Sequence, residues 1–351
     1  MNPNDTALSN SGIFGLNFTE AEAQLCLLAV PWEATTSYGD GASNGPEIIF
    51  QASHQVDLFD IETGTQHENG YFMPPISDEW RRASKHSKSQ AQAVVASLHE
   101  GAVPDPKLLK SVNAKSQELN SWVHAQTQKW LKQNKMVGLV GGDHSSPFGF
   151  IQALTEKYGR DFGVLHIDAH ADLREAYQGF EFSHASIMHN VVTKLNPKKL
   201  VQVGIRDFSP EENEFIESRP QQIKTYFDLL LKRRLFKGEN WQSLCNEIVS
   251  QLPDKVYVSF DIDGLSPEFC PHTGTPVPGG LSFDQVLCLF ASLHESGKKI
   301  IGFDLNEVAS PNDSMGDFSE RAIAEWDGHV GARILFKLCG WAMLSHLSHS
   351  K

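Results

Sequence analysis

The chain has 351 residues, of which 40% are hydrophobic and 21% are charged, so we expect a soluble protein with one large domain or two ordinary ones. Its net charge of −13 argues against a nucleic-acid surface, because that affinity comes largely from Lys and Arg. Five scattered cysteines without CxxC spacing indicate reduced thiols in the cytoplasm. No apolar run approaches the roughly 20 residues of a membrane span, and the polar N-terminus shows no signal peptide.

The first part of the chain predicts an arm, a strand and an unusual helical segment. Residues 1–20 are expected to form a loose N-terminal arm, and 21–351 a single domain. The apolar run 25–30 predicts a buried strand, and Pro46 begins a short helix. We interpret residues 74–135 as a helical insertion that packs on the sheet. Its two helices begin at the capping residues Ser77 and Asp105.

Strands and helices alternate regularly after this insertion. Strands are predicted at residues 136–140, 163–167, 200–205, 223–227, 255–260 and 299–305. Helices are predicted at residues 148–158, 184–195, 211–218, 241–252, 282–296 and 325–347. This order is typical of an α/β protein with three layers, α/β/α, around a mainly parallel sheet of about eight strands. Ligands bind such sheets at the carboxyl ends of the strands.

Metal-binding residue types follow several of these strands. Asp168, His170 and Asp172 alternate after a strand, so an extended backbone would direct all three to one side. A single Asp after a strand is usually a helix cap or a turn residue. Several such residues with apolar flanks are better explained by a metal, because burying them without a cation is costly. The predicted metal ligands are His144, Asp168, His170, Asp172, Asp261 and Asp263.

The composition of this ligand set favours a particular kind of metal centre. Four carboxylates and two imidazoles are better suited to Mn²⁺ than to zinc of the kind that thiolates bind. Ni²⁺ accepts the same ligands. Four aspartates carry a charge of −4, which two divalent ions neutralise. Two adjacent ions can share a water and convert it to hydroxide at neutral pH. We therefore expect a binuclear site.

Four motifs in order resemble those of the ureohydrolase family, which contains the arginases, agmatinases and formimidoylglutamases. The motifs are Gly-Gly-Asp-His144, Asp168-Ala-His-Ala-Asp172, Ser-Phe-Asp261-Ile-Asp263 with Thr273-Gly-Thr275-Pro, and Asp304-Leu-Asn-Glu307. The resemblance covers roughly residues 25–347 and is weakest in 60–135. It implies an arginase-like fold, two manganese ions and a homo-oligomer, trimeric or hexameric.

The resemblance also implies roles for individual residues. His144 and Asp172 would hold one ion, His170 and Asp263 the other, and Asp168 and Asp261 would bridge both. His184 would shuttle protons, although its spacing alone fits a helix cap or a core histidine. Glu307 would bind the guanidinium group, Thr275 would contact the substrate, and Asp172 would also accept a proton.

The segment between Asp172 and His184 differs from the loop that in arginases binds the head of arginine. Ser209 likewise replaces an acidic residue of arginases. We therefore expect a guanidino substrate without an α-amino-acid head. The acidic Glu175 and Glu181 favour agmatine, whereas the bulky Tyr177, Phe180 and Phe182 favour guanidine. We expect an agmatinase-like hydrolase that releases urea, with guanidine or a guanidino acid as the alternative substrate. A non-catalytic metal-binding scaffold is a separate alternative, but no ligand is lost. An NAD enzyme is disfavoured because no GxGxxG follows the first strand.

Overall fold

The computed structural model describes residues 11–36, 38–310 and 326–347. Its centre is an eight-stranded sheet in which every described pairing is parallel, in the order β2-β1-β3-β8-β7-β4-β5-β6. The strands are β1 (Leu25–Val30), β2 (Tyr71–Phe72), β3 (Met136–Gly141), β4 (Gly163–Ile167), β5 (Lys199–Ile205), β6 (Ile223–Phe227), β7 (Lys255–Asp261) and β8 (Lys299–Asn306). The predicted fold class is therefore confirmed, with a sheet that is more uniformly parallel than expected.

Helices cover both faces of this sheet because its strands are apolar on both sides. They are α1 (Gly45–Ser53), α2 (Asp78–His99), α3 (Pro106–Lys132), α4 (Phe148–Tyr158), α5 (Ile187–Asn190), α6 (Pro210–Glu217), α7 (Asp228–Phe236), α8 (Trp241–Ser250), α9 (Phe283–Glu295) and α10 (Trp326–Leu347). One core joins α1, α8, α9 and α10 to the sheet. The other core joins α3, α4 and α5 to it, with Trp80 of α2 at its margin.

Local capping explains where several of these helices begin. The Ser77 side chain accepts a hydrogen bond from the backbone of Trp80 at the start of α2. Asp105 caps α3 in the same way, and Pro106 occupies the first helical position, where its missing N–H is no loss. The pair α2–α3 thus lies in the segment for which the sequence predicts helices, and Leu119 and Trp130 are buried in the core next to β1 and β3.

The structure departs from the sequence-based expectations at two places. The described part of the expected arm is packed rather than loose, because Ile13 and Phe14 are buried and the Phe14 ring lies 5.1 Å from that of Phe336. Residues 1–10 lie outside the described part of the chain. Helix α7 was not predicted, because Leu229 and Phe236 face solvent and give it no apolar stripe. Across the described ranges, no helix is both long and apolar enough to cross a membrane.

Candidate metal centre and active site

The four central strands deliver the candidate site to one edge of the sheet. Strands β3, β8, β7 and β4 are neighbours, and all run in the same direction. His144 follows β3, Asp168 follows β4, Asp261 ends β7 and Glu307 follows β8. Because the carboxyl ends of these strands adjoin, residues up to 163 positions apart in sequence come into contact. For example, the backbone N–H of His144 donates to Glu307 Oε1 at 2.8 Å.

A first group of ligands surrounds the Nδ1 atom of His144. This nitrogen lies 3.0 Å from an Asp168 oxygen and 3.3 Å from oxygens of both Asp172 and Asp261. All four side chains are buried. One imidazole proton can satisfy at most one of three carboxylates at a time. A cation with several coordination positions fits this arrangement better than a single proton does.

The second group shares Asp168 with the first. His170 Nδ1 lies 3.0 Å from Asp263 Oδ2 and 3.6 Å from Asp168 Oδ1. The two oxygens of Asp168 therefore face different groups, since Oδ2 is the atom next to His144. This is the arrangement that a carboxylate bridging two ions requires. The six side chains predicted as metal ligands thus come together, and their oxygen-rich donor set fits hard or borderline divalent ions.

The carboxylate pKa values indicate that this site needs additional positive charge. Burial, reinforced by the Asp168 charge, raises the pKa of Asp172 to about 6. Burial and the charges of Asp263 and Asp168 raise the pKa of Asp261 well above its ordinary value. Burial also acts on Asp168, but the nearby His166 and His144 outweigh it and hold this pKa well below the usual range. Without divalent cations, the protein can keep these groups together only by binding protons.

A hydrogen-bond chain defines which nitrogen of His144 faces the aspartates. The Ser259 hydroxyl donates to Asp304 at 3.0 Å, so it accepts from His144 Nε2, which lies 2.9 Å away. The proton of a neutral His144 therefore sits on Nε2, and the Nδ1 lone pair faces the carboxylates. That lone pair is suited to a metal ion and not to a carboxylate oxygen. Ser259 was not singled out by the sequence, although it lies two positions before Asp261.

His166 is another functional candidate that the sequence reasoning missed. Its Nε2 lies 2.8 Å from Asp168 Oδ2, and its Nδ1 accepts from the Gln202 amide at 3.1 Å. Gln202 is oriented in turn, because its oxygen accepts from Thr225. His166 therefore donates to Asp168 and holds it as a hydrogen-bond donor rather than as a ligand. Its position two residues before Asp168, on the same side of β4, was the available signal.

Glu307 presents one carboxylate oxygen to the cavity beside the metal centre. Its Oε1 accepts from the His144 backbone, and its own carbonyl accepts from the Thr273 hydroxyl at 2.8 Å. Its φ of 64° is unusual for a residue other than glycine, and these contacts maintain it. Burial, together with the Asp143 charge, raises the pKa of Glu307 well above its ordinary value. A cation bound against Oε2 would restore the ionised form.

His184 also lines the cavity, and the hydroxyl of Thr35, in the loop after β1, contacts it. Thr35 Oγ1 accepts from the His184 backbone N–H at 3.3 Å and lies 3.5 Å from its Nδ1. Burial, aided by the His170 charge, lowers the pKa of His184 to about 4. The imidazole is therefore neutral at pH 7, as a group that accepts and returns a proton must be.

A cavity of about 180 Å³ joins these groups. Besides the candidate metal ligands other than Asp168, and His184 and Glu307, its walls are formed by Arg174, Tyr177, Ala185, Asp207, Glu212 and Thr275. Tyr177 and Thr275 thus lie where the sequence predicts substrate contacts. Arg174, Asp207 and Glu212 were not predicted, because the first belongs to a loop without a regular pattern and the others lie more than 30 residues further along the chain.

Apart from Tyr177, the acidic and bulky residues predicted to select the substrate lie outside the cavity. Glu181 is exposed and pairs with Lys194 rather than lining the cavity. Glu175 is also exposed. Phe180 and Phe182 are buried beneath the loop: Phe180 packs with residues of α2 and α3, and the Phe182 ring packs at a tilt against Phe148, with ring centres 5.2 Å apart. These residues shape the loop from below and do not reduce the cavity directly.

The fold and the site together define a class of protein: a three-layer α/β/α protein with an aspartate- and histidine-rich centre at the carboxyl edge of a parallel sheet. The chain belongs to the arginase family, whose model matches residues 23–326. As a member of this family it is a hydrolase of guanidino C–N bonds, and the residues at its centre agree with the family's dependence on two metal ions.

Sequence relatives show which members of the family the chain resembles. The chain is 30% identical to an N(1)-aminopropylagmatine ureohydrolase of Synechocystis sp., over 87% of this chain and 88% of that one. It is 32% identical to a protein of the same name from Thermus thermophilus, over 83% and 84%. A guanidinobutyrase of Pseudomonas aeruginosa is 29% identical over 89% and 84%. The chain is therefore agmatinase-like within the family.

Solved structures agree on the fold. The agmatine ureohydrolase of Thermoplasma volcanium is 20% identical and superimposes with a TM-score of 0.71, covering 97% of both chains. The proclavaminate amidino hydrolase of Streptomyces clavuligerus has the same TM-score at 19% identity, covering 97% of this chain and all of that one. At these identities, the likeness supports the arrangement of helices and strands and does not identify a substrate.

Proposed function

We propose that this protein releases urea from a guanidino compound that lacks an α-amino-acid head and carries a distal amine, as agmatine and aminopropylagmatine do. The observation that carries the proposal is the position of Glu307: its Oε1 is held by the His144 backbone, its side chain lines a cavity next to the clustered aspartates and histidines, and none of the described residues forms a hydrogen bond with its Oε2. A carboxylate pairs well with a planar guanidinium. The names of the relatives support the polyamine type of tail.

The six ligands would hold two divalent ions, in our proposal Mn²⁺ with Ni²⁺ as the alternative, and these ions would activate water as a nucleophile at neutral pH. Glu307 orients the guanidinium so that its carbon faces the metal centre, and such positioning supplies much of a rate enhancement. A carboxylate oxygen of Asp172 receives the proton released during attack. His184, neutral at pH 7, would accept a proton from solvent and pass it to the departing amine.

The charges at the mouth of the cavity support the choice of a cationic tail. Asp207 is exposed there, and no side-chain hydrogen bond to it occurs within the described ranges, so its carboxylate can meet an ammonium group. Glu212 adds a second carboxylate, although its oxygens already accept from the backbones of Leu173 and Ser209. Arginine itself is disfavoured, because the loop lacks the residues that would bind its head.

Arg174 favours a second candidate, a guanidino acid. Its guanidinium lies 4.8 Å from the Tyr177 ring centre and 3.5 Å from Glu212, at the wall of the same cavity. A carboxylate tail could replace Glu212 as its partner. The relative named guanidinobutyrase supports this alternative.

One experiment separates the candidates. Urea release is measured from agmatine, aminopropylagmatine, 4-guanidinobutyrate, guanidine and arginine after loading the metal-free protein separately with Mn²⁺ and Ni²⁺. Arg174→Met should lower KM for a cationic tail and raise it for an anionic one. No urea from any compound with either metal would contradict the proposal and favour a non-catalytic scaffold.

We further propose that the enzyme works in the cytoplasm as a homo-oligomer. The described cysteines are all free thiols, and Cys245 and Cys288 remain unbonded although their sulfurs are 3.9 Å apart. Reduced thiols are typical of that compartment. Exposed Leu229, Leu230 and Phe236 on α7 provide apolar surface for a subunit contact.

A further inference from the structure

The loop from Arg174 to Glu181 contributes two residues to the wall of the cavity but has little regular structure of its own. Arg174 and Tyr177 line the cavity, and the Tyr177 ring meets the His184 ring edge-on at 6.4 Å. Ala176 and Gln178 have φ values of 44° and 56°, which are unfavourable for residues other than glycine. A loop with such a backbone keeps its shape only where its surroundings hold it.

Helix α3 supplies that support through one side chain. The Asn113 amide donates to the carbonyl of Gly179 at 3.1 Å, and its oxygen accepts from the backbone N–H of Glu181 at 2.9 Å. Both polar ends of this amide are therefore used, on either side of Phe180. The arrangement imitates the pairing of one peptide group with another across a strand edge.

Phe180, between the two bonds, is fully buried. It packs in a small apolar cluster with Val94 of α2 and Val112 of α3, separate from the two main cores. Leu109 fills the space beside Gly179. The loop is thus held to the helix pair by an apolar anchor with a hydrogen bond on each side.

The same helix pair also supports the loop that contacts His184, the neighbour of Tyr177 in the cavity wall. Lys88 of α2 pairs with Glu33 and Asp40. Glu33 in turn accepts from the backbone N–H of Gly41 at 3.2 Å and fixes the first loop, in which Thr35 contacts His184. The Arg174–Glu181 loop and the loop that contains Thr35 therefore both depend on the helix pair α2–α3.

We propose that Asn113 is a positioning residue for substrate selection, and that α2–α3 serves as the scaffold of the substrate-selecting loop. Asn113 touches neither substrate nor metal; it acts through Phe180 and the loop on Arg174 and Tyr177. The inference rests on the proposed function, because a loop can select a tail only if a guanidino substrate enters the cavity. Its structural part can be tested without any activity.

The test uses the metal-loaded enzyme with Asn113→Ala, and Gln117→Ala as the matched control. Gln117 is an exposed amide about one turn further along α3, with no contact to the loop. Alanine favours helix in both variants, so neither should weaken α3 itself. Hydrogen exchange followed by mass spectrometry should show about tenfold faster exchange at the Glu181 amide in Asn113→Ala, since two hydrogen bonds to the loop are lost. The control should exchange at the wild-type rate.

The second readout is selectivity. The ratio of kcat/KM between the two best guanidino substrates should change about fivefold or more in Asn113→Ala, while metal content stays constant. Unchanged exchange, or faster exchange with an unchanged ratio, would overturn the inference. If no guanidino compound is cleaved, the proposed function fails, while the exchange measurement still decides whether Asn113 holds the loop.

Discussion

Ser259 orients His144 at the candidate metal centre. Its hydroxyl accepts from His144 Nε2 and donates to Asp304, both within the buried core. This relay leaves the His144 Nδ1 lone pair facing three aspartates. A residue that holds a ligand by its second nitrogen sets the orientation and basicity of that ligand.

Replacing Ser259 by alanine should therefore weaken the metal bound next to His144. We expect about 10- to 100-fold lower affinity, as is typical when the partner of a metal-bound histidine is removed. Competition with a chromogenic chelator measures it. Ser250→Ala, on the exposed side of α8, is the control and should bind metal normally. Equal affinity in both variants would show that another group orients His144.

The shared position of Asp168 predicts a different result for the bridging ligands. Asp168→Asn or Asp261→Asn should remove both ions and all activity, because we propose that each of these carboxylates bridges the two ions. Elemental analysis of purified variants measures the metal content. Asp161→Asn, which replaces an exposed carboxylate paired with Lys198, should keep both ions. Two metals retained in either bridging variant would contradict the assignment.

Glu307 should separate substrate binding from metal binding. Glu307→Gln keeps the shape of the side chain but loses the charge that pairs with a guanidinium, so we expect kcat/KM to fall at least 100-fold, about 3 kcal/mol of transition-state stabilisation. Metal content should not change. The melting temperature should stay equal or rise, because burial disfavours the carboxylate. Near-normal turnover would exclude Glu307 as the guanidinium-binding residue.

At the scale of elements, the sequence predicts what depends on local pattern. Strands such as β7 are continuous apolar runs, and helix starts such as that of α9 carry a capping box, formed by Ser282 and Gln285. The metal ligands were predictable because a parallel sheet brings strand ends together whatever the details of packing. The clustering of the six candidate ligands could therefore be predicted from spacing and motif, whereas their binding of metal stays a prediction.

The substrate loop was not predictable for a physical reason. Its shape depends on Asn113, 66 residues away from Gly179, and on an apolar cluster that exists only once α2 and α3 have packed. Glu181 and Phe180 looked like pocket residues because of their chemistry, but the loop directs them outward and downward. Residues whose direction is set by long-range contacts cannot be placed from local sequence.

The close packing of the turn after β3 leads to a prediction about Gly142. A Cβ at Gly142 would lie 2.0 Å from the backbone carbonyl oxygen of Trp32, a contact that no side-chain movement can relieve. Gly142→Ala should therefore displace His144, lower the melting temperature and reduce metal content. Gly101→Ala is the control: its Cβ would meet nothing within 4 Å, although its φ of 69° costs about 1 kcal/mol. Normal metal content in Gly142→Ala would show that the turn adjusts.

At the scale of the whole molecule, the metal centre governs the balance of charge. A chain with a net charge of −13 gathers four buried aspartates at one point beneath a single sheet edge. The folded protein accommodates them by binding cations or protons, whereas the unfolded chain exposes them to water. Folding, metal binding and proton binding are therefore linked.

This linkage predicts how metal removal affects stability at different pH values. The pKa of Asp172 is raised in the folded protein to about 6 from an ordinary 3.8, and that of Asp261 is also raised well above its ordinary value. A raised carboxyl pKa stabilises the fold below the ordinary value, and this stabilisation is lost as pH rises through the folded value. Protein stripped with EDTA should therefore lose stability between about pH 4 and pH 7.

The metal-loaded protein should resist this loss, because the ions replace the protons. The difference in melting temperature between loaded and stripped protein should thus widen from pH 5 to pH 7. In Asp172→Asn one titrating group is gone, so the stripped variant should depend less steeply on pH than stripped wild type. A difference that stays constant or narrows over this range would mean that the aspartates are neutralised by the protein itself, and that metal does not hold this edge of the sheet together.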